Sequence, residues 1–345
     1  MGARRGQWIR YSNFALILYS FLLAHAAPQS VDDPAGPQAG RIDGLWRLML
    51  YLLSAIFIVV MIVLAVAAFR RRDRGPDNAI VPSEPNQEKR ISRTVTGSVI
   101  VTAVILFGLL VSSFLVGRAI YLTPDKTNVM TIEVNAHQWW WDVRYNNPAP
   151  SQIVTTANEI HIPVGRPIAF RLNSMDVIHS FWVPNLHGKT DMIPGRTVET
   201  WLQADRPGVY RGQCAEFCGH QHAHMALLII AEPEEQFRAW YQGQLQSAPA
   251  PTTLSQIQGQ QIFLSRPCVM CHRIQGTDAG GRVGPDLTHV ASRQTIAAGT
   301  LQNTREHLSR WIVNSQDIKP GNRMPPIPIS GDELNALLDY VQSLK

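Results

Sequence analysis

Cysteine is scarce in this chain, with four residues among 345. The four fall into two close pairs, Cys214/Cys218 and Cys268/Cys271, each beside histidine. If both pairs serve cofactors, no cysteine remains for a structural bridge, and a disulfide-stapled fold is excluded. Charge is also sparse at 17%, and much of the net +5 is concentrated between residues 70 and 93. The downstream region carries no basic patch interleaved with aromatics, so nucleic acid is not an expected partner. No internal repeat is present, which removes repeat architectures.

Long apolar runs are plentiful. The first 27 residues read as a signal peptide, with Arg4, Arg5 and Arg10 before the apolar core "FALILYSFLLA" and a small-residue cleavage pattern at Ala24–Ala26. Leu45–Phe69 and Val95–Gly117 each reach the roughly 20 residues needed to cross a bilayer. Transmembrane helices are expected at about 45–69 and 95–120, within an N-terminal segment spanning 28–121. The 70–94 loop between them holds Arg70, Arg71, Arg72, Arg74, Lys89, Arg90 and Arg93, whereas the outer flanks hold scattered charges such as Arg41 and Lys126. The positive-inside tendency makes that loop cytoplasmic and turns both ends outward. This predicts a multi-pass protein of the bacterial inner membrane, in contact with lipid, with its N- and C-terminal regions on the periplasmic side.

Residues 122–245 read as strands. Short β-branched or alternating runs such as "MTIEVNAHQWWWDVRY" and "EIHIPVGRPIAFRLNS" are broken by "GRP", "PNLHG", "IPGR" and "DRPG". Many short strands without a long helical period predict an antiparallel sandwich or barrel. The Pro/Ala/Ser stretch at 246–256 reads as a linker. From 257 to 345 the period is helical in "SQIQGQQIFLS", "TREHLSRWIVNS" and "GDELNALLDYVQSL".

"CVMCH" places Cys268 and Cys271 two apart with His272 directly after, the attachment pattern of a c-type haem. The thiols add to the haem vinyl groups, and the histidine is held beneath the iron. Zinc would need a second ligand pair, and none follows. Met324 in "KPGNRMPP" lies where small class I cytochromes c carry their second axial ligand, and the tail resembles that family. There the proline of "GPDL", here Pro285, braces the proximal histidine. His289 and His307 read as surface residues.

"CAEFCGHQHAHM", residues 214–225, crowds two thiols, three imidazoles, a carboxylate and a thioether together. Thiolate, imidazole and thioether favour copper over zinc. Two thiolates are able to bridge two copper ions, and each copper then needs a terminal imidazole. "DVIHSFWVP" supplies His179 from upstream.

"HQWWW", "DVIHSFWVP", "GKTDMIPGR" and "PGVYRGQCAEFCGHQHAHM" resemble subunit II of haem–copper cytochrome c oxidase, in the bacterial variety with a fused cytochrome c. The resemblance implies a multidomain membrane protein: a two-helix transmembrane hairpin, an all-β cupredoxin-like Greek-key barrel and an all-α class I cytochrome c domain. It implies a dinuclear copper centre, CuA, with Cys214 and Cys218 as bridging thiolates and His179 and His222 as imidazole ligands. Met225 becomes the weak thioether, and Glu216 gives its backbone carbonyl. Magnesium is expected at the Glu216 carboxylate, at the interface with subunit I. The spacing Cys218-x-x-x-His222-x-x-Met225 sets His220 and His224 aside, and His137 and His187 are expected near the site or on the surface. Trp139 corresponds to the aromatic that accepts electrons, while Trp140 and Trp141 are expected to pack.

The implied path runs from an upstream donor (cytochrome c or a bc-type complex) to haem c, to CuA and to subunit I and its companions. Oxygen is reduced to water there with proton pumping, and no residue of this chain performs that step. The alternative is the electron-accepting subunit of a CuA-containing nitric oxide reductase. Two departures from the family pattern stand out. No glutamate at a proton path is assignable near Glu88 and Arg93, and Arg144 stands where relatives carry acidic docking residues. A donor attached in cis relaxes that second need.

Overall fold

The computed structural model describes residues 29–70, 85–121 and 129–345. The expected signal segment and most of the positively charged loop lie outside the described residues. The chain divides into two compact units, Gly40–Leu122 and the combination of Met1–Ala39 with Thr123–Lys345.

Helices α1 (Pro37–Phe69) and α2 (Pro85–Tyr121) are both long and apolar enough to cross a membrane, with mean hydropathy of 3.1 and 2.8 over their most apolar windows. Each opens on a proline, whose missing N–H is harmless at the first helical position. Both run past the apolar stretches. In α1 the polar first turns include an Asp43–Arg47 pair at 2.7 Å. In α2 the start "PNQEKRISRT" is polar yet rich in helix formers, with Glu88 favourably placed in the first turn. Arg41 donates to the Ala119 carbonyl, tying the start of α1 to the end of α2.

Ten strands follow: β1 (Thr131–His137), β2 (Trp140–Asn146), β3 (Val154–Ala157), β4 (Glu159–Pro163), β5 (Ile168–Ser174), β6 (His179–Trp182), β7 (Thr190–Met192), β8 (Val198–Leu202), β9 (Gly208–Cys214) and β10 (Ala226–Glu232). They form two five-stranded sheets in the orders β3-β2-β1-β5-β8 and β4-β10-β9-β6-β7. The β1–β5 and β4–β10 pairs are parallel and the rest antiparallel. Alternation does the sorting on β1, where Ile132, Val134 and Ala136 are buried and the residues between them are not. β10 is apolar almost throughout, as expected of a strand covered on both faces. This is the cupredoxin-like domain. Helix α3 (Glu234–Gln244) closes it by packing Trp240 and Tyr241 on Tyr145, with buried Phe237 behind them.

The last domain is helical: α4 (Leu254–Ser265), α5 (Cys268–Cys271), α6 (Arg305–Val313), α7 (Ser315–Ile318) and α8 (Gly331–Val341). A two-residue antiparallel pair, β11 (Thr295–Ile296) with β12 (Leu301–Gln302), interrupts the all-α expectation where a tight turn folds back. Capping boxes at Thr253/Gln256 and Ser330/Glu333 start α4 and α8. These two helices cross closely: a Cβ on Gly259 would stand 2.0 Å from the Ala336 carbonyl oxygen. Phe263, Leu337, Leu338 and Tyr340 fill the crossing, each such burial contributing about 1.5–3 kcal/mol.

The 246–256 stretch does not hang free. Ala248 N donates to the Gln275 carbonyl at 2.9 Å, and His289 bridges the carbonyls of Gln246 and Lys345. His289 is therefore buried, contrary to its expected surface position, because the stretch before α4 folds back over it. The helical and cupredoxin-like domains meet directly. The buried carboxylate of Glu159 accepts from the backbone of Gln294 (3.1 Å) and Thr295 (2.8 Å), and Ala226 N donates to the Ala298 carbonyl at 2.9 Å.

Candidate metal and haem sites

Cys214 closes β9, His179 opens β6, and the antiparallel register pairs Phe181 with Cys214. The loop from 215 to 225 then returns to β10 through a short 3-10 turn at His222–His224. The donor atoms of His179, Cys214 and Cys218 all lie within 4.8 Å of one another, and all three side chains are buried. Nδ1 of His179 is 3.8 Å from Cys214 Sγ, and Nδ1 of His222 is 3.7 Å from Cys218 Sγ. Met225 Sδ, fully buried, is 3.9 Å from Cys218 Sγ. Cys214 Sγ points to the Glu216 carbonyl at 3.2 Å.

The electrostatics suit a cation. Hydrogen bonding from Cys218, aided by His179, holds the Cys214 thiol far below the usual thiol range, while the same pairing and burial push Cys218 up. Two thiolates side by side in a buried site repel, so full ionisation requires positive charge between them. Soft donors in this set fit copper. Asp176 orients His179 by accepting from Nε2 at 2.8 Å, which turns Nδ1 to the sulfurs. Against burial, the hydrogen bonds from Cys214 and Asp176 raise His179, and Asp176 is lowered by its contacts with His179 and the amides of Gln138 and Val177.

Other residues of the crowded loop separate from this cluster. His220 is exposed, and His224 Nδ1 faces Gln221 Oε1 at 2.8 Å. The Glu216 carboxylate pairs with Lys189 at 3.2 Å, and Lys189 also holds Asp191. Among the described residues, the one group of three or more metal donors is His179 with the two cysteines, so magnesium at Glu216 finds no support. His137 stacks on Trp140 and is lowered by burial, as is His187. Trp141 is fully buried against His179 and Phe181. Trp139 donates its indole N–H to the Cys218 carbonyl at 2.9 Å, and Gln138 Nε2 donates to the same oxygen at 2.9 Å.

Cys268, Cys271, His272 and Met324 open onto one cavity of about 450 Å³. Phe263, Leu308, Ile312 and Leu337 make it apolar, and Gln138, Trp139, Trp140 and Asn158 wall it from the cupredoxin-like domain. His272 Nδ1 donates to the Pro285 carbonyl at 2.8 Å, leaving Nε2 for the cavity. Burial lowers this imidazole and favours its neutral, ligating form. Gly284 lies flat against the ring, where a Cβ would stand 2.8 Å from Cε1. The Met324 carbonyl accepts from Ser315 Oγ at 2.7 Å and Gln316 Nε2 at 2.8 Å, which fixes the loop. An apolar cavity with two thiols, one neutral imidazole and one thioether fits a c-type haem.

The family model for the periplasmic domain of cytochrome c oxidase subunit II matches residues 146–232, and that for cytochrome c matches 257–345. Cytochrome c oxidase subunit 2 of Alkalihalophilus pseudofirmus is 36% identical over 321 residues, covering 91% of this chain and 90% of that protein. The chain belongs to the cytochrome c oxidase subunit 2 family. The subunit 2 of Bacillus sp. (strain PS3) is 32% identical over 234 residues, 64% of each chain. The crystal structure of the periplasmic domain of subunit II of the Bradyrhizobium japonicum oxidase is 30% identical, with a TM-score of 0.33, and covers 36% of this chain and 96% of that one. Membership in the subunit 2 family, with its cytochrome c domain, implies copper and haem c as cofactors and an oxidase complex as the setting. Sequence reasoning missed Asp176, although it stands three residues before His179 inside a quoted motif. It also missed Lys319 and Glu159, whose surroundings exist only once the domains meet.

Proposed function

We propose that this chain is the electron-accepting subunit of a respiratory haem–copper cytochrome c oxidase, passing electrons from its own haem c to a dinuclear CuA centre and on to subunit I. Oxygen reduction and proton pumping belong to subunit I. The observation that carries the reading is the convergence of His179, Cys214 and Cys218, with His222 and Met225 beside Cys218, next to a wall shared with the haem cavity.

In this reading the thiolates of Cys214 and Cys218, the side chains of His179, His222 and Met225 and the carbonyl of Glu216 would hold the copper. Cys268 and Cys271 would attach the haem, and His272 and Met324 would hold its iron. Bound there, haem c and copper supply reversible one-electron transfer. The chain's residues keep the sites dry, orient the imidazoles and fix the distance. Trp139, touching both the haem cavity and the Cys218 carbonyl, is the electron-accepting aromatic. The two helices form the membrane hairpin, residues 122–245 and 257–345 are the periplasmic domains, 246–256 connects them, and the upstream donor is a cytochrome c or bc-type complex.

Electron paramagnetic resonance with metal and haem analysis of the full-length chain in its purified complex tests this. The expected result is a mixed-valence signal shared over two coppers, with one haem per chain. Zinc, or a single copper, would overturn it.

A further inference from the structure

A buried lysine stands where the two external domains meet. Lys319 is 2% exposed. Its Nζ donates to the Trp139 carbonyl of the cupredoxin-like domain at 2.8 Å and to the Ala297 carbonyl of its own domain at 3.1 Å. Both acceptors are uncharged, and burial holds the ammonium down to about 7. An apolar side chain of similar volume would fill the space with less desolvation penalty, so the amine has to be explained by what it holds.

What it holds is Trp139. The indole of that residue is bonded to the Cys218 carbonyl, and Gln138 is bonded to the same oxygen. Two residues after Lys319, Gly321 approaches the Trp139 ring, with a built Cβ 3.7 Å from Cη2. Between them, the Pro320 carbonyl accepts from Gln221 Nε2 at 2.8 Å, and Gln221 adjoins His222. Lys319–Gly321 therefore touches the Trp139 backbone, the Trp139 ring and the copper loop, five residues before Met324.

The second acceptor is also committed to the junction. Ala297 (φ 55°) and Ala298 (φ 56°) occupy the left-handed region that residues with a Cβ rarely adopt. Their carbonyls accept from Lys319 and from Ala226 N, the residue after Met225. Such strain persists where surrounding contacts over-determine it.

We propose that Lys319 is the positioning residue of this junction: it clamps the Trp139 backbone between the haem cavity and the Cys218 carbonyl, and so holds the two cofactor sites at one separation. The proposal rests on the reading of Trp139 and Cys218 given above.

The test uses the full-length chain in its complex, with a protease site placed in the exposed part of the 246–256 stretch. Lys319→Met keeps the volume and removes the donor, and Lys319→Gln keeps an N–H donor at shorter reach. Haem and copper spectra, the rate of haem-to-copper transfer after flash reduction, and retention of the cytochrome domain after cleavage are measured together. With Lys319→Met the spectra stay unchanged, transfer slows by roughly tenfold or more as the geometry loosens, and the cleaved domain is released. Lys319→Gln recovers part of both effects. Wild-type transfer and retention in Lys319→Met would overturn the clamp. A wild-type complex without haem-to-copper transfer would sink the functional reading instead, and retention after cleavage would still decide the clamp.

Discussion

The Asp176 carboxylate accepts a 2.8 Å hydrogen bond from Nε2 of His179, and this contact settles which imidazole nitrogen faces the thiols. Asp176 also takes the amides of Gln138 (2.7 Å) and Val177 (2.8 Å), so the loop that holds the histidine is itself held. Asp176→Asn keeps an acceptor oxygen but weakens the pull on the imidazole. Copper affinity, measured by chelator competition on the full-length chain, is expected to fall about 10–100-fold. Unchanged affinity would mean that packing alone orients His179.

Gly284 permits the His272 ring to lie against backbone. Gly284→Ala places a methyl 2.8 Å from Cε1 and must push the imidazole off its bond to Pro285. Mass spectrometry should still find haem attached through Cys268 and Cys271, while the low-spin absorption spectrum is lost or becomes pH-sensitive. A wild-type spectrum would show that the ring has room the structure does not display.

The crowded copper loop allows a discriminating series. His222→Ala should reduce bound copper and change its paramagnetic signal, because Nδ1 is 3.7 Å from Cys218 Sγ. His220→Ala and His224→Ala should leave both unchanged, since one side chain is exposed and the other is engaged by Gln221. Loss of copper on either of the latter changes would reassign the ligand.

Lys319 gives stability a pH dependence of definite sign. Its folded value of about 7 lies below the ordinary 10.5, so between these limits the unfolded chain binds a proton that the folded chain does not. Stability against urea should therefore rise from about pH 7 toward 10.5 and stay flat with respect to this group below 7, where both states carry its proton. Lys319→Met should flatten that rise. An identical slope in the variant would place the titration elsewhere.

Legibility in the sequence followed from how local each feature was. Cys214, Cys218, His222 and Met225 lie within twelve consecutive positions, and "CVMCH" is contiguous, so both candidate clusters were visible in the sequence. His179 was singled out because a bridged copper pair would need a second imidazole, and its Nδ1 lies 3.8 Å from Cys214 Sγ. Lys319 and Glu159 look like ordinary surface charges in sequence, and only the meeting of two domains buries them. His289, expected at the surface, is buried for a different reason: Gln246, in the stretch before α4, and the C-terminal Lys345 fold over it. The two long apolar helices were placed by apolarity, and their polar first turns, which a hydropathy window does not count, extended them.

The haem cavity has consequences for biogenesis. Cys268 and Cys271 open onto a space that Trp139, Trp140 and Asn158 of the other domain close. In the proposed reading, Cys268 and Cys271 would be more open to haem attachment before that wall is in place than after it. In that reading a copy without haem would also lack the filled surface that Trp139 and Trp140 line, so loading of the cavity and the seating of the two domains would depend on each other.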